Sequence, residues 1–298
     1  MTGARDGGPV RMPAPELEID ERFVRDLVDR QFPRFRSEPI EIVGNGWDNV
    51  VARLGPDLAV RVPRRAQAVP LVASEARWLP LLAERVDLEV PTPVHLGTPD
   101  DRMPWPWTIV RWVHGRPADR TGPAGPRDAQ VLGGFLAALC ISAPPDAPRN
   151  PFRGRPLAAR DAAVRTNLAR IAHPASRRLE AIWSEALDLP DAPGPSVWVH
   201  GDLHPANLIV RDGVLAGVID WGDLTAGDPA ADLQIAWTWP GGSGPSEVLA
   251  VLEADGDLVA RARANALAHG LAVLANSADD PRMAAMGHRT IGAVLVSA

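Results

Sequence analysis

Four polar residues crowd the run His200-Gly201-Asp202-Leu203-His204-Pro205-Ala206-Asn207: His200, Asp202, His204 and Asn207. Thirteen residues beyond Asn207 stands Asp220, in Ile219-Asp220-Trp221-Gly222-Asp223. Apolar runs flank both clusters, at 197–199, 208–210 and 214–219. Such runs read as buried strands. Asp202, Asn207 and Asp220 then lie at strand ends that a hairpin brings together. A carboxylate, an amide and a second carboxylate offer hard oxygens. That set suits Mg²⁺, which takes few protein ligands and completes its shell with water and phosphate oxygens. A further Asp can orient and deprotonate an attacking hydroxyl. A second reading stays open. His200, Asp202 and His204 alternate, so in an extended segment they face one way, as in a dinuclear metal site of a hydrolase. Against it, no third and fourth zinc ligand clusters nearby, and the spacing to Asn207 and Asp220 is left unexplained.

The elements that must hold these groups fall into two regions. The chain has 298 residues, enough for two lobes of ordinary size. Residues 1–16 are rich in Gly, Pro and Arg and are expected to be disordered. Residues 17–112 read as a small β-rich lobe. Phe23, Leu27, Val28 and Phe32 make a helical stripe from Asp20 to Pro33. Strands are expected at 40–43, 49–54, 58–62, 94–96 and 108–113, and a helix at 69–84 kinked by Pro80. A short link at 113–117 leads to a larger, mainly helical lobe over 118–298. Its helical pattern covers 128–141, 157–187 and most of 246–296, with the strand hairpin inserted and 144–156 as a Pro- and Arg-rich connector. The class is α+β, and the cleft between lobes is the expected ligand site.

Composition narrows the function. Apolar residues at 46% and charged residues at 23% exclude a mostly disordered chain. No apolar run reaches the roughly 18 residues of a membrane span, and the N-terminus shows no secretory pattern. The single Cys140 excludes an internal disulfide and fits a reducing cytoplasm, the expected location. A net charge of -6 argues against a nucleic-acid partner. The chain has no Lys and no Tyr, so all 31 basic residues other than His are Arg. Neither Lys nor Tyr can enter a catalytic proposal.

Residues 200–207 and 219–223, with the tail Gly227-Asp228-Pro229-Ala230-Ala231-Asp232-Leu233, resemble the catalytic-loop and metal motifs of the aminoglycoside phosphotransferase family, relatives of the protein kinases. The resemblance runs from about Pro39 onward. It implies a two-lobed, protein-kinase-like fold and assigns roles. Asp202 is the implied catalytic base, supported by His200, with His204 beside the site. Asn207 and Asp220 are the implied Mg²⁺ ligands. Gly44, Asn45, Gly46 and Asn49 belong to the loop over the phosphates of ATP or GTP. Glu75 is the implied helix partner of a strand cation. Arg111 and Val113 lie on the link that meets the purine base. One departure stands out. The family's third-strand Lys is replaced by Arg61, read as a working replacement that can fork onto phosphate and carboxylate. Macrolide kinases look similar here, with Arg followed by Pro63-Arg64-Arg65.

The implied activity is transfer of a γ-phosphoryl group to a hydroxyl of a small molecule. An aminoglycoside antibiotic is the leading acceptor. A macrolide, another antibiotic, or an amino alcohol or ketosamine is the alternative, and a non-catalytic nucleotide-binding module is the lesser one. No membrane partner is expected, and the protein is expected to be a monomer or weak dimer. Trp105, Trp107 and Trp112 read as packing at the end of the small lobe, or as a base contact. Trp237 and Trp239 read as core or as acceptor-pocket walls. Cys140 reads as an inert core residue. Asp223 and Asp228 are candidates to fix the metal loop. Late acidic residues, among them Glu247, Asp255 and Asp279, read as solvated surface before substrate contacts.

Overall fold

Asp20 accepts a hydrogen bond from the Phe23 N–H at 2.7 Å and so starts α1 (Glu21–Gln31). The buried stripe of this helix, Val24, Leu27 and Val28, meets the inward residues of a sheet, among them Ala52, Leu54, Val60, Val62 and Ile109. The computed structural model describes residues 14–121, 125–239, 245–252, 254–277 and 280–297. Residues 1–13 of the expected disordered tail, and Asp279, lie outside these. The end of that tail is not free: the Glu16 N–H donates to the Arg64 carbonyl at 2.9 Å.

The small-lobe sheet contains β1 (Ile40–Asn45), β2 (Asn49–Leu54), β3 (Leu58–Pro63), β4 (Pro93–Gly97) and β5 (Trp107–Arg111), with α2 (Val69–Ala83) between β3 and β4. It is antiparallel throughout in the order β1-β2-β3-β5-β4. Gly55, at φ 60°, turns β2 into β3. Pro80 lies inside α2, which continues past it. The expected division at residue 113 is crossed by packing. Trp78, Leu79 and Leu82 of α2, and Val86, Leu88 and Val90 after it, join the core of the large lobe. Trp78 tilts against Trp198 at 5.1 Å, and Glu89 exchanges backbone hydrogen bonds with Ala216 and Val218.

The large lobe begins with β6 (Arg116–Pro117) and α3 (Pro126–Leu139). The helical stretch expected over 157–187 is two helices, α4 (Asp161–Ile171) and α5 (Ser176–Leu187). Ala172 ends α4 in the left-handed conformation at φ 48°, and His173-Pro174 cannot resume it. β7 (Val197–Val199) precedes the expected hairpin, β8 (Leu208–Arg211) and β9 (Val214–Val218). Asp212 and Gly213, at φ 53° and 77°, form the tight turn that suits the strand twist. β10 (Thr225–Gly227) pairs with β7, a three-residue strand with no sequence signal. The helices α6 (Ala230–Leu233), α7 (Ile235–Thr238), α8 (Pro245–Val251), α9 (Gly256–Asn276) and α10 (Pro281–Val296) complete the lobe. Trp237 and Trp239 are buried in the core of the large lobe. Burial pushes the Cys140 thiol up to about 11, which keeps it protonated and unreactive. Among the described residues no helix is long and apolar enough to cross a membrane.

One carboxylate ties α3 to the hairpin that carries the metal candidates. Asp128 accepts the Gly125 N–H at 2.9 Å at the start of α3 and the buried Leu215 N–H at 2.7 Å on β9. Asp128→Ala strands that Leu215 donor, so urea unfolding should show a loss of about 1–3 kcal/mol.

Candidate active site

The loop after β7 hangs on one buried carboxylate. Asp232, on α6, accepts the His200 N–H at 2.6 Å and the Gly201 N–H at 3.0 Å. Gly201 has φ 90°, and a Cβ there would lie 2.4 Å from the Asp223 carbonyl oxygen. Only glycine lets this loop lie against the 220–223 turn. His200 is wholly buried. Its Nε2 meets the Ile219 carbonyl at 3.0 Å and its ring packs on Trp221 at 4.7 Å. It braces the loop and does not reach the cleft.

Asp202 points into the cleft with both oxygens addressed. Its Oδ1 accepts from Arg153 Nη2 at 2.8 Å, and its Oδ2 lies 3.6 Å from His204 Nε2. Burial alone would raise its pKa. His204 and Arg153 more than reverse this and hold Asp202 well below the usual carboxylate range. Asn207 donates from Nδ2 to the Asp202 carbonyl at 2.9 Å, which leaves its Oδ1 for the cleft. Asp220 adopts the left-handed conformation at φ 63°, with a side chain 60% exposed. Two hard oxygen donors, one neutral and one anionic, thus face one space. That donor set fits Mg²⁺ shared with phosphate oxygens. His200 and His204 have other partners. Among the described residues no group of three or more His, Cys, Asp or Glu converges as a metal site.

The small lobe supplies the opposite wall. Arg61 on β3 is buried and paired with Glu75 of α2, and its Nη2 lies 3.9 Å from Asp220 Oδ1. Burial would lower the Arg61 pKa, but Glu75 and Asp220 more than restore it. The structure therefore gives the arginine the ion pair that the resemblance assigns to a lysine. Gly44 and Asn45 end β1, Asn49 starts β2, and all line the cleft with Gly46. The loop is tied down by two arginines that sequence reasoning noted only as a family likeness. Arg64 Nη1 donates to the Gly46 carbonyl at 2.7 Å, and Arg65 Nη2 to Asp48 Oδ1 at 2.8 Å. Arg111, expected on the link, ends β5; its N–H donates to the Thr92 carbonyl, and the Trp112 N–H donates to the Asp57 carbonyl. Val113 lines the cleft beside Trp112, whereas Trp105 and Trp107 pack in the small lobe.

The open cleft measures about 950 Å³, room for a nucleoside triphosphate and part of an acceptor. Two residues on its wall were missed from sequence, Arg120 and Arg153. Of the two Asp residues expected to fix the metal loop, Asp223 binds Arg153 and Asn150. Asp228 caps α6 through the Ala230 N–H and pairs with the buried Arg261.

A mixed sheet-and-helix lobe above a helical one, with an Asp loop, an Asn–Asp oxygen pair and a strand cation facing each other across the gap, defines a kinase-like phosphotransferase. A model of the phosphotransferase enzyme family, APH, matches residues 39–267, and the chain belongs to that family. Solved structures agree on the fold. The chain is similar to the GDP and kanamycin complex of APH(2")-IIia, with TM-score 0.69 and 20% identity over 92% of this chain and 98% of that one. It is similar to the macrolide 2'-phosphotransferase MphH from Brachybacterium faecium, with TM-score 0.59 and 26% identity over 92% and 97%. A streptomycin–ATP–APH(2")-IIa ternary complex matches with TM-score 0.59 and 18% identity over 91% and 95%. No curated protein matches the sequence.

Behind Asp202, His269 of α9 stacks on His204 at 6.0 Å, and its buried Nε2 has no partner among the described residues. Burial, His204 and the nearby arginines push its pKa down to about 3. Below pH about 6.5 the unfolded chain gains this proton and the folded one does not, so stability falls as pH drops toward 3. The slope from this residue is about 1.4 kcal/mol per pH unit. His269→Leu should flatten the fall in Tm between pH 6.5 and 4.5; an unchanged slope refutes the assignment.

Proposed function

We propose that this phosphotransferase moves the γ-phosphoryl group of ATP or GTP to a hydroxyl of an antibiotic. The observation that carries the reading is the convergence of Asp202, Asn207, Asp220 and the Arg61–Glu75 pair on one cleft. Little covalent chemistry is asked of the protein, so rate comes from positioning and charge neutralisation. Arg61 and the loop at Gly44, Asn45, Gly46 and Asn49 hold the phosphates. Asn207 and Asp220 would hold Mg²⁺, which offsets charge on the β- and γ-oxygens. Asp202 orients the acceptor hydroxyl. Asp202, which His204 and Arg153 hold below its usual range, orients the hydroxyl and accepts its proton as the new bond forms.

An aminoglycoside is the first acceptor reading, in line with the ligands named for the similar structures. A macrolide is the second, and two observations favour it. Identity to the macrolide enzyme reaches 26%, and Arg61 is followed by Pro63-Arg64-Arg65, the run in which macrolide kinases look similar.

The test is mass spectrometry after incubation with Mg²⁺, ATP or GTP, and a panel of aminoglycosides, macrolides and amino alcohols. The expected product is heavier by one phosphoryl group. Asp202→Asn should keep nucleotide binding and lower turnover by about 10²–10⁴-fold. Asp220→Ala should abolish Mg²⁺-dependent nucleotide binding in calorimetry. Near wild-type turnover in the first variant, or unchanged binding in the second, would sink the assigned roles.

A further inference from the structure

The segment read from sequence as a connector is fastened as firmly as a strand. The Ala226 N–H of β10 donates to the Pro148 carbonyl at 2.9 Å, the Asn150 N–H to Thr225 Oγ1 at 2.9 Å, and the Asp228 N–H to the Gly154 carbonyl at 3.1 Å. Asn150 Oδ1 accepts the N–H groups of Phe152 and Arg153, which fixes the turn that delivers Arg153. At Gly154, φ is 61° and a Cβ would press on the Gly227 Cα at 3.1 Å. Arg153 therefore enters the cleft from a rigid backbone.

Its guanidinium spans two carboxylates. Nε donates to Asp223 Oδ2 at 2.8 Å, and Nη2 to Asp202 Oδ1 at 2.8 Å. Asp223 is itself held through Oδ1 by Asn150 Nδ2 at 2.8 Å. Burial would lower the Arg153 pKa, but the two carboxylates raise it, so the charge is permanent. The third nitrogen, Nη1, has no hydrogen bond among the described residues, and Arg153 lines the same cleft as Asp202, Asn207 and Asp220. With no lysine in the chain, a fixed cation on this side of the reaction has to be an arginine.

We infer that Arg153 is a further catalytic residue: it fixes Asp202 so that Oδ2 meets the acceptor hydroxyl, and it offers Nη1 to the phosphoryl group in transfer. This rests on the phosphotransfer reading above. The acceptor oxygen forms a bond to the γ-phosphorus. The bond from that phosphorus to the bridging oxygen breaks, and its electron pair leaves with the nucleoside diphosphate. The hydroxyl proton passes to Asp202 Oδ2, the oxygen that Arg153 does not occupy and that His204 Nε2 faces at 3.6 Å. Charge on the transferring group is greatest in the transition state, so Nη1 contributes there more than to bound triphosphate.

The experiment compares wild type, Arg153→Lys and Arg153→Met. Calorimetry measures Mg–ADP and Mg–GDP with and without aluminium fluoride, which mimics the phosphoryl group in flight, and thermal unfolding checks the fold. Both variants should bind Mg–diphosphate within about 3-fold of wild type. Tightening by aluminium fluoride should fall at least about 10-fold, and kcat about 10²–10³-fold in the Met variant with nucleotide KM little changed. Lys should restore part of both, because it keeps the charge but cannot span the two carboxylates. Should Met not fold, Lys decides. A folded Lys variant with wild-type kcat and wild-type tightening overturns the inference and leaves the phosphotransfer reading intact. A wild type that neither binds Mg–diphosphate nor transfers phosphate overturns both.

Discussion

Carboxylates floor the cleft, and the proposed reaction brings a polyanion to them; that conflict governs the site. In that proposal Asp202 orients a hydroxyl and Asp220 holds a cation. Left alone, both would repel the phosphates. The structure resolves this with arginines that bridge rather than pair. Arg61 joins Glu75 and approaches Asp220 from the small lobe. Arg153 joins Asp202 and Asp223 from the large one. Each guanidinium stands between two carboxylates and offsets part of their charge.

The folding of the large lobe follows from the same need. Asp202, Asn207 and Asp220 must present side chains from backbone that is not free to relax. The price is strain and close approach, at Asp220 with φ 63° and at Gly201 against Asp223. Asp232 answers it by taking two backbone N–H groups of the loop, although burial pushes its own pKa up. Helix α2 carries the constraint across the lobes. It brings Glu75 to Arg61 on one side and packs Trp78 and Leu82 into the large-lobe core on the other.

What could be read from the sequence was what is local. The hairpin announced itself through alternation around Asp212-Gly213, and α1 through Asp20 and its stripe. The resemblance in 200–223 marked Asp202, Asn207 and Asp220, and all three line one cleft. Arg153 could not be found in this way. Its two carboxylates lie 49 and 70 residues along the chain, and a Pro- and Arg-rich stretch looks the same whether loose or fastened. β10 is too short for any periodicity. The break between α4 and α5 did carry a signal, in Pro174, but the apolar pattern around it was the stronger cue. For Trp237 and Trp239 the sequence leaves core and pocket equally open, since a tryptophan near a motif is as useful to one as to the other; both are buried in the core.

Arg61 has a consequence for how this enzyme can be detected. Nucleotide sites of kinase-like folds are commonly tagged with acylating nucleotide analogues, which deliver their label to a nearby amine. Here the strand position offers a guanidinium, and no ε-amine exists anywhere in the chain. Acyl transfer therefore has no side-chain amine to modify, however tightly the analogue is held. Dicarbonyl reagents such as phenylglyoxal, which condense with guanidinium groups, are the matching chemistry, and bound nucleotide should shield the residue they reach. A survey of kinases by amine labelling would pass over a protein built this way and leave its cleft unmarked.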